Sequence, residues 1–289
     1  MAEFAYSPFP TDPEPDPNAQ RWPGRENDFV VAPDLLPARI VKAHNVHKKF
    51  YIESYTGIVA KAMKGKWSNL AYIDNYCGPG VCWVEGSGEF VTGSPLIAME
   101  TQPAFSHFAF VDKDSVCVDA LRNRAAARGY SPQIMCGDSN DPAVIDWIRS
   151  SIPRQHTLAL ALLDPQGCTL EPATIESLAR DRRMDLMINL PVQGLVRNLG
   201  AGNFAAIERV LGPNYPTCPP NEWRLAVREH YKDLLRGLGY EYSSSKEVRA
   251  EGNRTPIYDF ILASKHKLGK KLFDGVTKNT VHGQMSIFG

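Results

Sequence analysis

Five short apolar runs recur through the middle of the chain. Each closes on a turn or a carboxylate, and each is followed by a stretch with helical spacing. The runs are Leu70–Asp74, Phe108–Asp112, Gln133–Cys136, Leu158–Leu163 and Leu186–Leu190. Short strand-to-helix steps of this kind imply a parallel sheet, and right-handed crossovers then place helices on both of its faces. Leu158–Leu163 has no polar residue at all, the composition of a strand buried on both sides. Helices are expected from Ser94, over Ser115–Arg128, over Asp141–Ser150 and over Pro172–Arg180. Ser94 and Pro95 supply a helix cap and a residue suited to the first turn.

The exit of the first strand is the most informative local stretch. It reads Leu70-Ala-Tyr-Ile-Asp-Asn-Tyr-Cys-Gly-Pro-Gly80. Gly78 and Gly80 let the backbone turn sharply and come close to a ligand. Asp74, Asp112, Asp138 and Asp164 all fall at or just beyond a strand end. In an open parallel sheet those ends line the ligand crevice. Any one of the four could instead cap the helix that follows it; together they mark a site. Asp112 is placed to accept hydrogen bonds from ribose hydroxyls, and Asp138 to receive an amino group such as that of adenine. With the turn through Cys77, Gly78 and Gly80, these residues fit an adenosine ligand. A pyrophosphate is not required, because the chain has neither a P-loop nor a complete Gly-x-Gly-x-x-Gly.

The flanks read differently. Residues 1–24 carry six of the 22 prolines, interleaved with acids, and predict an extended arm. The arm is assigned to 1–37 and the folded domain to 38–289. A basic helix is expected over Ala38–Lys64 and a long glycine-rich loop over 81–93. After Pro191, helices are expected over Phe204–Leu211 and Glu222–Leu238. The strand-like segments Gly239–Val248 and Pro256–Ala263 then form an antiparallel pair at the sheet end, before a basic helix over Lys267–Lys278. Lys+Arg and Asp+Glu are both 32, so net charge exerts no general pull toward nucleic acid or membrane. No apolar run approaches a membrane span, and the N-terminus lacks a signal-peptide pattern. The six cysteines include no Cys-x-x-Cys pair. They read as reduced thiols of a cytoplasmic protein, and no metal is expected.

Five parallel strands followed by an antiparallel pair resemble the class I S-adenosylmethionine-dependent methyltransferases. More narrowly, the chain resembles the three-Cys-motif partner family, a branch of that superfamily. The stretches that carry the likeness span roughly residues 40–275. They are Tyr72–Gly80, Gly93-Ser-Pro-Leu96, Leu163-Asp-Pro-Gln-Gly167, Asp185–Pro191 with Arg197, Pro256-Ile-Tyr258 and Ala263-Ser-Lys-His266, with His47-Lys48 on the first helix. The resemblance implies an α/β fold with a doubly wound, mostly parallel, Rossmann-like methyltransferase sheet and a terminal antiparallel strand pair. It implies S-adenosylmethionine as cofactor and a separate protein encoded nearby as a partner. Two positions depart from the family pattern: Gln166 stands where an aromatic residue follows Asp-Pro, and Cys77 where a small or apolar residue is commoner. Losing the aromatic weakens the idea of a planar substrate ring stacked there.

Methyl transfer needs a nucleophile held close to the methyl and in line with the breaking bond. Asp164 is the natural substrate-side group, able to accept a proton or to hydrogen-bond an amine, with Asn189 beside it at the next strand end. Asp74 joins the cofactor side. Pro165, Gln166, Pro191 and Arg197 are expected to line the substrate crevice, and Lys48 and Lys265 to meet phosphate or carboxylate. Basic residues gather at both ends of the matched region: Arg39, Lys42, Lys48 and Lys49, then Lys265, Lys267, Lys270 and Lys271. Two helices carrying them at the crevice mouth would form a phosphate-binding rim, and a nucleic acid with an exposed base is the expected acceptor. Solvated helix faces would look the same. Two other classes share such a sheet. One is a cofactor-binding partner protein without turnover, against which the intact Gly78, Gly80 and Asp112 argue. The other is a nucleotide-dependent oxidoreductase, against which the missing dinucleotide fingerprint and the antiparallel final pair argue.

Overall fold

The computed structural model describes residues 15–249 and 256–278. Its centre is a seven-stranded sheet built on the five apolar runs. These are β3 (Asn69–Asp74), β6 (His107–Asp112), β7 (Gln133–Cys136), β8 (Thr157–Leu163) and β9 (Met184–Leu190), all parallel. The pair β10 (Tyr242–Arg249) and β11 (Pro256–Ser264) completes the sheet, with β11 antiparallel to both β9 and β10. The order is β10-β11-β9-β8-β3-β6-β7. The expected α/β, doubly wound, mostly parallel architecture with its terminal antiparallel pair is the observed one. The order reverses about β3, which lies between β8 and β6. That reversal opens a crevice above the carboxyl ends of these strands.

The alternating sides of each strand explain the two hydrophobic layers. Tyr72, Phe110, Leu160, Leu162, Phe260 and Leu262 face one way. They pack beneath α1 (His44–Met63), α2 (Ser94–Glu100) and α9 (Lys267–Thr277). Ile73, Val111, Ala161, Leu163 and Ile188 face the other way, against α4 (Pro142–Ser151), α5 (Pro172–Ala179), α7 (Phe204–Leu211) and α8 (Pro220–Gly237). Between these elements, α3 (Ser115–Ala127) follows β6 and α6 (Val192–Gly200) follows β9. In α1 the buried stripe runs through Tyr51, Tyr55, Val59 and Met63, one residue every four.

Two expectations about the first hundred residues are corrected. The first helix begins at His44, not Ala38, because Pro37–Val41 is strand β2. The stretch 81–93 is not a loop. It is a hairpin of β4 (Val81–Val84) and β5 (Phe90–Thr92), turned at Gly86 and Gly88. With β1 (Phe29–Val31) these segments make a second sheet of order β1-β2-β4-β5, in which β2 and β4 run parallel. Val81 and Trp83 are buried there beside Phe29, Val30 and Ala38, and this apolar interior favours pairing over an open loop. Strand β1 lies within the stretch assigned to the arm. Upstream of it, residues 16–20 lie along the hairpin as a strap. Asp16 N–H donates to the Gly88 carbonyl (3.0 Å), Trp83 Nε1 to the Asp16 carbonyl (3.0 Å) and Val31 N–H to the Gln20 carbonyl (2.7 Å).

The terminal pair is pinned by charge. Asp259 on β11 is fully buried and receives both arms of Arg228 from α8, at 2.5 and 2.9 Å, while Glu247 on β10 takes a further bond from the same guanidinium. Removing one partner of a buried pair strands the other charge. Arg228→Met is therefore expected to cost about 3 kcal/mol or more of stability, read as a drop in denaturation midpoint. A second change, Asp259→Asn, should recover part of that loss; equal stability of Arg228→Met and wild type would contradict the pinning.

Candidate functional site

A cleft of about 690 Å³ opens above the strand reversal. One wall is the small sheet and the start of α1, through Arg39, Lys42, His44, Lys48 and Lys49. The floor is the turn Tyr76–Gly80. The opposite wall is Asp164–Gly167 after β8, Asn189 and Pro191 after β9, Gln193, Gly194 and Arg197 on α6, and Tyr258 on β11.

The floor owes its shape to ties made at both of its ends. Gly78 and Gly80 adopt φ of 62° and 85°, the region glycine enters without penalty. At Gly80 a Cβ would also meet Leu121 Cδ1 at 3.0 Å. Cys77 N–H donates to the Val111 carbonyl (2.9 Å), and Gly78 N–H to Asp112 Oδ2 (2.8 Å). Asp112 Oδ1 accepts Asp114 N–H (2.9 Å). Each Asp112 oxygen thus keeps capacity for a second donor. Asp112 is 9% exposed and lies directly behind the floor.

Asp74 does not reach the cleft. It is fully buried, accepting Ser94 Oγ–H (2.6 Å) and Tyr76 N–H (3.1 Å), so it shapes the floor and the start of α2 without touching a ligand. Burial pushes its carboxyl up to about 7. Asp138 also lies off the cleft wall. It is exposed beyond β7 and accepts Asn140 N–H at 2.9 Å, a turn bond.

The densest chemistry is around Asp164. Its Oδ2 lies 2.5 Å from Lys48 Nζ, and its Oδ1 accepts Asn189 Nδ2 at 2.7 Å. The Asn189 amide oxygen is buried without a partner. Lys48 Nζ also stands 5.8 Å from the ring centre of Tyr258, whose hydroxyl donates to the His44 carbonyl at 3.4 Å. Burial and the neighbouring Lys48 lower the His44 imidazole, and burial lowers the Lys49 ammonium to about 8. Gln166 is exposed and accepts Arg39 Nη1 at 3.1 Å, bridging the two walls, and Pro165 is buried beside it. Arg197 is exposed at the mouth.

Asp164, Asn189, Lys48, Pro165, Gln166, Pro191, Arg197, Cys77, Gly78 and Gly80 therefore meet in one cleft, with Asp112 behind it. Lys265 is not with them. Because β11 runs antiparallel, its start at Tyr258 faces the cleft and its end lies at the far pole of the sheet. There Lys265 Nζ donates to the carbonyls of Ala179 (3.4 Å) and Arg182 (3.3 Å). The two-sided lysine rim is corrected accordingly: Lys267 opens a helix that starts at that far pole. Lys48 points at Asp164 and not outward, and Arg39 sits on β2, not on a helix. Several residues of the site were missed, Gln193 and Gly194 among them. Tyr76, two residues before Gly78, and Tyr258, two after Pro256, could have been read as the lining that replaces the absent aromatic at 166. Ser94 was read only as a helix cap. Among the described residues, no group of three His, Cys, Asp or Glu side chains is placed to hold a metal, and no helix is long and apolar enough to cross a membrane.

No protein-family model matches the chain, and no curated protein matches it. One solved structure shares its fold, and others are more distantly similar. Protein LPL1258 from Legionella pneumophila, of family DUF519, is 11% identical over 82% of this chain and 94% of its own, with a TM-score of 0.52. Magnesium protoporphyrin IX methyltransferase from Synechocystis, solved with S-adenosylhomocysteine, is 14% identical over 77% of this chain and 86% of its own, with a TM-score of 0.42. An O-methyltransferase from Bacillus cereus, also solved with S-adenosylhomocysteine, is 10% identical over 73% and 79%, with a TM-score of 0.43. The sheet described above is an open, doubly wound sheet of the Rossmann-like kind.

The raised Asp74 carboxyl has a consequence for stability. The folded chain holds that proton up to about pH 7, whereas an unfolded aspartate releases it near pH 4. Between those values the folded state binds more protons than the unfolded, so Asp74 makes stability fall as pH rises. Asp74→Asn keeps the neutral form at every pH. Its stability relative to wild type should rise by up to about 3 kcal/mol from pH 5 to pH 8, measured by denaturant titration at both pH values. A constant difference would place the Asp74 pKa outside that window.

Proposed function

We propose that the protein is an S-adenosylmethionine-dependent methyltransferase acting on an amine, and that the cofactor lies over the Tyr76–Gly80 floor. The bracketed carboxylate of Asp164 carries this reading: it stands at the carboxyl end of β8, held by Lys48 and Asn189 on the cleft wall. The donor set fits the cofactor. The floor presents glycine backbone, Asp112 retains acceptor capacity for ribose hydroxyls behind Gly78, and the cleft is large enough for a nucleoside and an acceptor together. The sequence resemblance to the three-Cys-motif partner family supports the same assignment.

The cofactor supplies a methyl group on a sulfonium, an electrophile that needs no further activation. The chain's own residues position and deprotonate the acceptor. Asp164 has a lone pair left on each oxygen and accepts an N–H of the incoming amine, which turns the nitrogen lone pair toward the methyl. As the N–C bond forms, nitrogen becomes more acidic, and Asp164 is placed to take its proton. Lys48 fixes the carboxylate from one side and Asn189 from the other, so little reorganisation is left to the reacting state. The orphaned Asn189 oxygen is a second acceptor for an amine with two hydrogens. Asp164→Asn should bind S-adenosylhomocysteine within a few-fold of wild type by calorimetry. It should methylate about 100-fold more slowly or worse, assayed by methyl incorporation into cellular RNA, DNA and protein fractions. Wild-type turnover by this variant would reduce Asp164 to a turn residue.

The acceptor amine is read as that of a nucleic acid base. Lys42 and Arg197 at the mouth, with Lys49 behind them, support this reading, since the acids of the lining are only Asp28 and Asp164. Oligonucleotide affinity should fall with salt at a log–log slope of about −0.7 to −0.9 per phosphate contacted. Lys42→Ala and Arg197→Ala should each reduce that slope by about one, read from fluorescence anisotropy. Absence of binding at low salt would redirect the search to protein or small-molecule amines.

A further inference from the structure

Arg124 on α3 is 1% exposed, on a helix whose outer face is otherwise wet. All of its side-chain hydrogen bonds leave the helix. Nε and Nη2 grip both oxygens of Asp34 at 2.7 and 2.8 Å. Nη1 donates to the Pro37 carbonyl at 2.9 Å and to the Pro79 carbonyl at 2.7 Å, and Nη2 reaches the Leu36 carbonyl at 3.4 Å. Asp34 and Leu36 belong to the turn between β1 and β2, and Pro37 is the first residue of β2. Pro79 belongs to the cleft floor, between Gly78 and Gly80.

One planar guanidinium thus joins the amino-terminal sheet to the floor. The peptide after Pro79 has a carbonyl that could face either way, and glycine on both sides leaves the backbone little resistance to rotation. Arg124 holds that carbonyl on the α3 side. On the other side of the same turn, Gly78 N–H is held by Asp112. Burial alone would raise the Asp34 carboxyl, but the bonds and charge of Arg124 keep it below its usual range, so the clasp is ionic. A lysine cannot reproduce it: its ammonium is a point donor, whereas these acceptors lie along a fork.

We infer that Arg124 is a positioning residue for the cofactor, fixing the Pro79 carbonyl so that the floor is preformed, and that Asp34 makes the amino-terminal sheet part of that fixation. The inference rests on the cofactor reading above. Because coupling is reciprocal, a ligand on the floor must also steady the β1–β2 turn.

The test uses the full chain and S-adenosylhomocysteine as probe, at a temperature where every variant is folded by circular dichroism. Arg124→Lys should weaken binding about 5- to 100-fold, and Asp34→Asn by less, in the same direction. Asp34 lies at the surface end of the clasp, so its variant covers the case in which Arg124→Lys does not fold. In wild type the probe should slow hydrogen exchange across residues 33–37, and in Asp34→Asn that protection should shrink. A purely structural Arg124 would lower the melting temperature while leaving the dissociation constant and the exchange protection unchanged, and that result overturns the inference. If wild type itself fails to bind the probe, the cofactor reading falls and the clasp's role with it. Binding by wild type with equal binding by folded Arg124→Lys or Asp34→Asn removes only the clasp.

Discussion

The upper end of the molecule depends on how the chain leaves β3. Six residues, Asn75 to Gly80, must turn from a strand buried on both faces into an inner strand of a second sheet. Left to itself such a stretch would sample many conformations, at a cost of about 1–2 kcal/mol for each residue then fixed. The structure offsets that cost with ties from several directions. Val111 and Asp112 hold it from the neighbouring strand, Asp74 and Ser94 from below, and Gly93 N–H reaches the Gly80 carbonyl at 2.8 Å from the hairpin. The functional surface is therefore mostly backbone, and the side chains that define it stand behind it.

Charge is arranged with the same economy. The carboxylates at the strand ends do different things because their surroundings differ. Asp74 is dry and bonded to a hydroxyl and one amide, so burial dominates and its proton is retained. Asp112 takes two backbone amides, and Asp164 takes an ammonium and a carboxamide. Three aspartates at or just past the ends of adjacent strands thus become a structural acid, a hydrogen-bond platform and an ion-paired carboxylate on the cleft wall. Topology puts them in a row, and their neighbours divide the work.

Much of this was legible in the residues. Runs such as Leu158–Leu163 admit only one kind of strand, and of the four strand-end aspartates Asp164 lines the crevice and Asp112 lies behind its floor, while Asp74 and Asp138 lie off it. What stayed hidden was non-local. Pro37–Val41 has a β-branched, apolar character that competes with helix, and its partners at Phe29–Val31 and Val81–Val84 decide the matter. Lys265 looked like a rim residue because sequence adjacency to a motif says nothing of direction, and an antiparallel strand carries its two ends to opposite poles. Arg124 was visible in principle: it falls in phase with Cys117 and Leu121 on the apolar stripe of its helix, where a charge needs a reason. Its reason lies ninety residues upstream.

The parallel pairing of β2 with β4 also bears on time. These strands are neighbours in space, yet all of α1 and β3 lies between them in the chain. Closing so long a loop is entropically unfavourable until the intervening segments are already packed. The local pairs β1–β2 and β4–β5 need no such help, but the β2–β4 ladder that joins them waits until α1 has docked and β3 has taken its place, so the two halves of this wall meet late. A nascent or partly unfolded chain can possess the central sheet and its strand-end carboxylates and still lack a closed cleft. Competence is gained late in folding and lost early in unfolding.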